Sequence, residues 1–151
     1  MPSHDGLPKF ELAFPGPLRD QLVAAVLSGA KISTSGLVVD YEHCGDELPL
    51  VGSRSVVIDS ALRPVAIVEV TDVRVVPLAE IDLAHAVDEG EGYESVAQWR
   101  AGHEYFWHSP QMREALDDPE FAVGDDTEVV AERFRVVELL DGADGTADPA
   151  R

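Results

Sequence analysis

Hydrophobic positions along the chain follow two periods. Between Pro17 and Ser28 the apolar residues Leu18, Leu22, Ala25 and Val26 recur at helical spacing, Pro17 suits a first helical turn and Gly29 suits the left-handed residue that closes one. This predicts a helix over 17–28. In the middle the pattern changes to runs rich in Val, Ile and Thr over 55–59 and 65–76, joined by a turn and read as a hairpin that Pro77 ends. Residues 78–87 read as one or two short helical turns leading into the loop Glu89-Gly90-Glu91-Gly92. Ser95 and Gln98 form a capping-box pattern, and the stripe Val96, Trp99, His103 and Phe106 predicts a helix over 95–108. A short helix over 111–116 and a long strand over 128–140 complete the pattern. Leu37-Val38-Val39 with Tyr41 reads as a short strand or extended loop, and 44–49 as a turn. The order of elements predicts an α+β fold in which a small mixed β-barrel is flanked by helices.

Composition narrows this to one domain. A chain of 151 residues has room for one real core and none for a second domain. The first residues lack a basic start and an apolar stretch, which sets the expectation of no secretory signal, and no apolar run approaches a membrane span. Cys44 is the only cysteine, so an internal disulfide is excluded and a reducing cytoplasm is expected. The formal charge of −18 argues against long polyanions, because nucleic-acid binding rests on clustered Lys and Arg. Capture of a nucleoside or other small molecule in a pocket remains compatible with that charge.

Only Lys9 and Lys31 are lysines among eleven basic residues. Lys31, three residues before Thr34, is the first candidate for chemistry: a desolvated lysine can act as a base toward a threonine hydroxyl, whereas arginine cannot. The plainer alternative is a surface lysine at a helix–strand junction and an ordinary strand threonine. The glycine-rich loop either presents backbone amides to a ligand or is an acidic turn that caps the next helix. Trp99 and His103 lie on the apolar stripe, where a core role competes with a site role, and Arg100 with Glu104 has the spacing of a surface ion pair. No His, Cys and carboxylate grouping has zinc-ligand spacing, and no phosphate-cradling glycine loop precedes a helix, so neither metal nor cofactor is expected. Tyr41 and Trp107 lack basic neighbours, unlike the interleaved aromatic and basic residues of single-strand binders.

Five segments in order carry a family resemblance. They are Gly29-x-Lys31-x-x-Thr34; Val51-Gly52 with Val56-Val57-Ile58-Asp59; Pro64 to Val73; Glu89-Gly90-Glu91-Gly92 with Ser95, Trp99, Arg100 and His103; and Glu132-Arg133-Phe134-Arg135-Val136. Over residues 14–140 the chain resembles an ASCH domain of the PUA-like group of small β-barrels, closest to stand-alone bacterial members, with 1–13 as an N-terminal extension and 141–151 as a disordered tail. The resemblance implies RNA binding, ribonuclease action or, by similarity to a bacterial 4-acetylcytidine amidohydrolase, a catalytic set at Lys31, Thr34 and Glu89. Gly29, Ser35, Glu91, Trp99, Arg100 and His103 are the candidate ligand contacts around it. Ser35-Gly36 stands where the amidohydrolase has a basic residue. Two expectations follow: a pocket for a modified nucleoside or related small ligand, with amide hydrolysis as its chemistry, or a non-catalytic module for RNA or a protein. Ribonuclease action fits this acidic chain least, since phosphate-neutralising groups would have to gather around Arg54, Arg74, Arg100 and Arg133.

Overall fold

The computed structural model describes residues 6–140. The tail expected over 141–151 and residues 1–5 lie outside the described residues. Helix α1 runs Pro17–Ser28 as its spacing predicts, and Gly29 closes it at φ 87° with its N–H donating to the Val26 carbonyl. The buried Arg19 of α1 donates to the carbonyls of Leu12 (3.1 Å) and Ala13 (2.8 Å), which straps the segment ahead of the helix against it.

Five strands form one sheet in the order β1-β3-β4-β5-β2: β1 Lys9–Phe10, β2 Ser33–Leu37, β3 Arg54–Ile58, β4 Pro64–Pro77 and β5 Glu128–Leu139. β1 runs parallel to β3 and every other pairing is antiparallel, so the sheet is mixed, as the sequence predicts. Register shifts at Ile67/Val68 and Val70/Asp72 bend the long β4–β5 ribbon, and the sheet curls into a half-barrel. Val65 to Val68 are buried without alternation because both faces of this stretch are covered. α1 packs on one face against Val57, Ala66, Val68 and Phe134.

The remaining helices are α2 Val38–Cys44, α3 Leu83–Asp88, α4 Val96–Trp107 and α5 Pro110–Ala115. Trp99 and Trp107 of α4 and Met112 of α5 cover Leu37, Val129 and Ala131. Among the described residues no helix is long and apolar enough to cross a membrane.

One local expectation is corrected. Val38, Val39 and Tyr41 are neither strand nor extended loop but belong to α2. Leu37 pairs with Val129 and only Glu128 of β5 lies beyond that pair, so a continued strand would run out of partner within one residue, and the backbone groups from Val38 on are satisfied in a helix instead. Gly45 caps α2 in the left-handed conformation, and the Tyr41 ring folds back over Gly36.

Gly90 joins two parts of the fold. It has φ 72°, and a Cβ there would lie 2.6 Å from the carbonyl carbon and oxygen of Ala30, while Ile32 N–H donates to the Asp88 carbonyl at 2.9 Å. The loop after α3 therefore docks directly on the backbone leading into β2. Gly92, at φ 86°, has open space around it. In urea unfolding Gly92→Ala should lose about 1–2 kcal/mol from its left-handed backbone alone. Gly90→Ala should lose a further ~1–3 kcal/mol because neighbouring backbone must move; equal losses in the two variants would contradict this docking.

Candidate functional site

The docked loop places a carboxylate in the protein interior. α3 is capped by Asp82, whose side chain accepts from His85 N–H at 2.8 Å, and the helix ends at Glu89, which is only 1% exposed. Its Oε2 accepts from Ser35 Oγ at 2.5 Å, from Trp99 Nε1 at 2.8 Å and lies 3.2 Å from His85 Nε2. Its Oε1 faces His103 Nε2 at 3.0 Å and Lys31 Nζ at 3.7 Å. Burial alone would raise the carboxyl pKa, but hydrogen bonds from His103 and His85 and the charges of His103 and Lys31 hold it well below the usual range.

His103 stands between two acceptors: Nδ1 faces the Trp99 carbonyl at 2.9 Å and Nε2 faces the Glu89 carboxylate, an arrangement that favours a proton on both ring nitrogens. Burial works against that charge, yet the bond to Glu89, its negative charge and the Trp99 carbonyl together raise the pKa. The ring stacks on Trp99 with centroids 4.3 Å apart.

Lys31 is 2% exposed, so the reading of it as a surface lysine is set aside. Nζ donates to the carbonyls of Ser33 (2.9 Å) and Glu89 (3.3 Å) and lies 3.6 Å from Glu91 Oε2 as well as 3.7 Å from Glu89. All four partners are acceptors, which suits the three N–H donors of an ammonium. Glu91 is mostly buried: burial raises its pKa, Lys31 pulls it down, and the neighbouring Glu89 charge pushes it up again, leaving it raised. Glu89, Glu91 and His103 each offer one ligand atom within 4.8 Å of the others, but the Lys31 ammonium already holds the cation position between the two carboxylates. We assign no metal to them.

These groups form one end of a cavity of about 970 Å³. Lys31, Thr34, Ser35, Glu89, Glu91 and His103 line it, opposite the strapped segment from Glu11 to Leu18 and the C-terminal half of α4. The three candidate catalytic residues thus reach one cavity, although the Thr34 hydroxyl makes no hydrogen bond among the described residues. Thr34 and Ser35 are adjacent on an edge strand and project to opposite faces, Ser35 toward His85 and Glu89 and Thr34 toward its β5 partner Glu132. Trp99 is fully buried behind the cavity and serves it through Glu89. Arg100 is held by Glu104 (3.0 Å) and Asp125 (2.7 Å), and Gly29 by its capping position; neither lines the cavity.

Sequence reasoning missed two buried residues. His85 bonds Ser35 Oγ at 2.7 Å, and its spacing of four from Glu89 on a helix was the available signal. Glu132 is a carboxylate within the apolar run of β5, 4% exposed.

The ASCH domain model matches residues 11–138. The chain belongs to the ASCH domain family. Among solved structures it is similar to a DUF984 protein from Enterococcus faecalis V583, with TM-score 0.77 and 22% identity over 93% of this chain and 82% of that one. It is likewise similar to the ASCH domain of Lactobacillus crispatus JV V101, with TM-score 0.73 and 25% identity over 86% of this chain and 79% of that one. No curated protein matches the sequence at a significant level. The curled mixed sheet with its helices is the PUA-like fold of ASCH domains.

The charge network has a pH signature. With its pKa raised above 6.5, His103 contributes stability below that value, and the contribution is lost as pH rises through the folded-state pKa. Glu89, lowered, contributes above 4.5 and loses the contribution as pH falls through its own folded value. In an NMR titration His103 should therefore titrate above 6.5 in the wild type and move downward in Glu89→Gln; an unmoved His103 would show that Glu89 does not hold its proton.

Proposed function

We propose that the cavity binds an uncharged ligand of nucleoside size carrying an acyl amide, and that Thr34 opens that amide. The observation that carries this reading is the presence in one cavity lining of Thr34, whose hydroxyl makes no hydrogen bond among the described residues, and the buried Lys31. Its volume of about 970 Å³ is ample for a nucleoside, since small-molecule sites span roughly 300–1,000 Å³. The net charge of −18 supports a neutral ligand over a polyanion.

In this reading Thr34 Oγ bonds to the acyl carbon, and the Lys31 ammonium stabilises the negative charge that develops on the carbonyl oxygen. Glu91, whose carboxyl pKa is raised above its ordinary value by burial, gives a proton to the departing nitrogen as the C–N bond breaks. Water then hydrolyses the threonine ester and its proton returns to Glu91. Glu89 does not touch the substrate: donors on both oxygens commit it to holding Lys31, His103 and Ser35 in place. That same commitment is what favours the second reading, a non-catalytic pocket organised by a structural carboxylate.

Hydrolysis of 4-acetylcytidine and related acylated nucleosides separates the two. The wild type should turn over at least one of them, Thr34→Ala should abolish turnover while still showing a ligand-induced thermal shift, and Lys31→Met should lose about 10²–10³-fold. A wild type that is stabilised by these nucleosides without hydrolysing them would leave the binding pocket and reject the chemistry. Generic single-stranded RNA should bind no tighter than roughly 10⁻⁴–10⁻⁶ M at physiological salt in an anisotropy titration. Submicromolar binding to unmodified RNA would overturn the small-ligand reading.

A further inference from the structure

The reading above leaves the threonine proton without an acceptor. Lys31 is surrounded by acceptors of its own, and Glu89 lies on the other face of β2 with Ser35. The strand register supplies a different group. Thr34 and Glu132 are directly paired between β2 and β5, so their side chains stand on the same face of the sheet with Cβ atoms about 4.5–5.5 Å apart. Glu132 is 4% exposed, and its carboxyl makes no hydrogen bond among the described residues, so its oxygens can take up a proton. Thr34 beside it lines the cavity, and its hydroxyl likewise makes no hydrogen bond among the described residues.

We propose that Glu132 is the general base that takes the Thr34 proton, sitting behind the nucleophile while the substrate approaches from the cavity. The inference rests on Thr34 being the nucleophile of the function proposed above. In acylation the Thr34 O–H bond breaks toward a Glu132 oxygen as the bond from Oγ to the acyl carbon forms; in deacylation Glu132 returns the proton to Oγ as the ester bond breaks. With Glu91 handling the proton of the leaving nitrogen and then of water, the two carboxyls end each cycle as they began.

The surroundings suit the task. Burial pushes the Glu132 carboxyl up to about 7, only partly offset by the Lys31 charge, which places a base near neutral pH. From β4 its paired neighbour is the apolar Val73. From α2 it faces Tyr41, whose phenol is pushed up first by burial and next by the Glu132 charge, so it stays neutral there. Lys31 is the facing cation and Thr34 the facing hydroxyl.

The test uses p-nitrophenyl acetate, a small acyl donor independent of any natural substrate. Release of p-nitrophenolate is measured from pH 5 to 9, the rate in Thr34→Ala is subtracted, and peptide mass mapping locates acetyl on Thr34. The Thr34-dependent rate should rise with a midpoint near pH 7 in the wild type, fall about 10²-fold in Glu132→Gln, and return in part in Glu132→Asp. A flat Thr34-dependent profile in the wild type, no Thr34-dependent release at all, or an unchanged rate in folded Glu132→Gln would each overturn the proposal. Should Glu132→Gln fail to fold, the wild-type profile decides alone. Thr34 acetylation that depends on Glu132, in a protein that hydrolyses no acylated nucleoside, would keep Glu132 as the base and reject only the substrate class.

Discussion

Everything around the cavity depends on the burial of one carboxylate. Glu89 is taken out of water at a cost of several kcal/mol, and such a charge persists only where donors replace its hydration. Those donors come from three separate parts of the chain: Ser35 of β2, His85 of α3 with the Lys31 cation before β2, and Trp99 with His103 of α4. Because each donor is demanded by the same two oxygens, the carboxylate fixes the distance of α3 and α4 from the sheet edge. Removing its charge would take from Lys31 and His103 the one carboxylate that both of them contact.

The backbone is built to permit this. Gly90 presses against the Ala30 carbonyl with no room for a side chain, and the same contact sets Lys31 beside Glu89 and Glu91. The Arg19 strap shapes the opposite wall by holding Leu12 and Ala13 to α1. Ser35 is a neutral donor that bonds Glu89 and His85, while the basic groups facing the carboxylate are Lys31 and His103.

Much of this was legible in the sequence because local signals and tertiary demands agreed. α1 and the β3–β4 hairpin obey simple periodicity, and the stripe of α4 buries Trp99 as expected. Where the two conflicted the sequence misled: Val38 and Val39 favour a strand by type, but β5 extends only one residue, Glu128, beyond the partner of Leu37. His85 and Glu132 escaped notice for a different reason. Their roles arise from cross-strand register and helix docking, neither of which single-residue patterns encode, and each looks by itself like an ordinary polar residue in an apolar stretch. Lys31 stands out in the sequence by its rarity, but its burial and its four acceptor partners are visible only in the fold.

The account stands or falls on the ionisation of Glu89. The most direct measurement is the ¹³C shift of its side-chain carboxyl, followed by NMR from pH 8 downward. The account predicts no titration of this resonance at or above the ordinary carboxylate value of 4.5, with the carboxylate remaining ionised well below it. A Glu89 carboxyl that takes up its proton at or above 4.5 would contradict it, because Lys31 and His103 would then have lost the carboxylate they share.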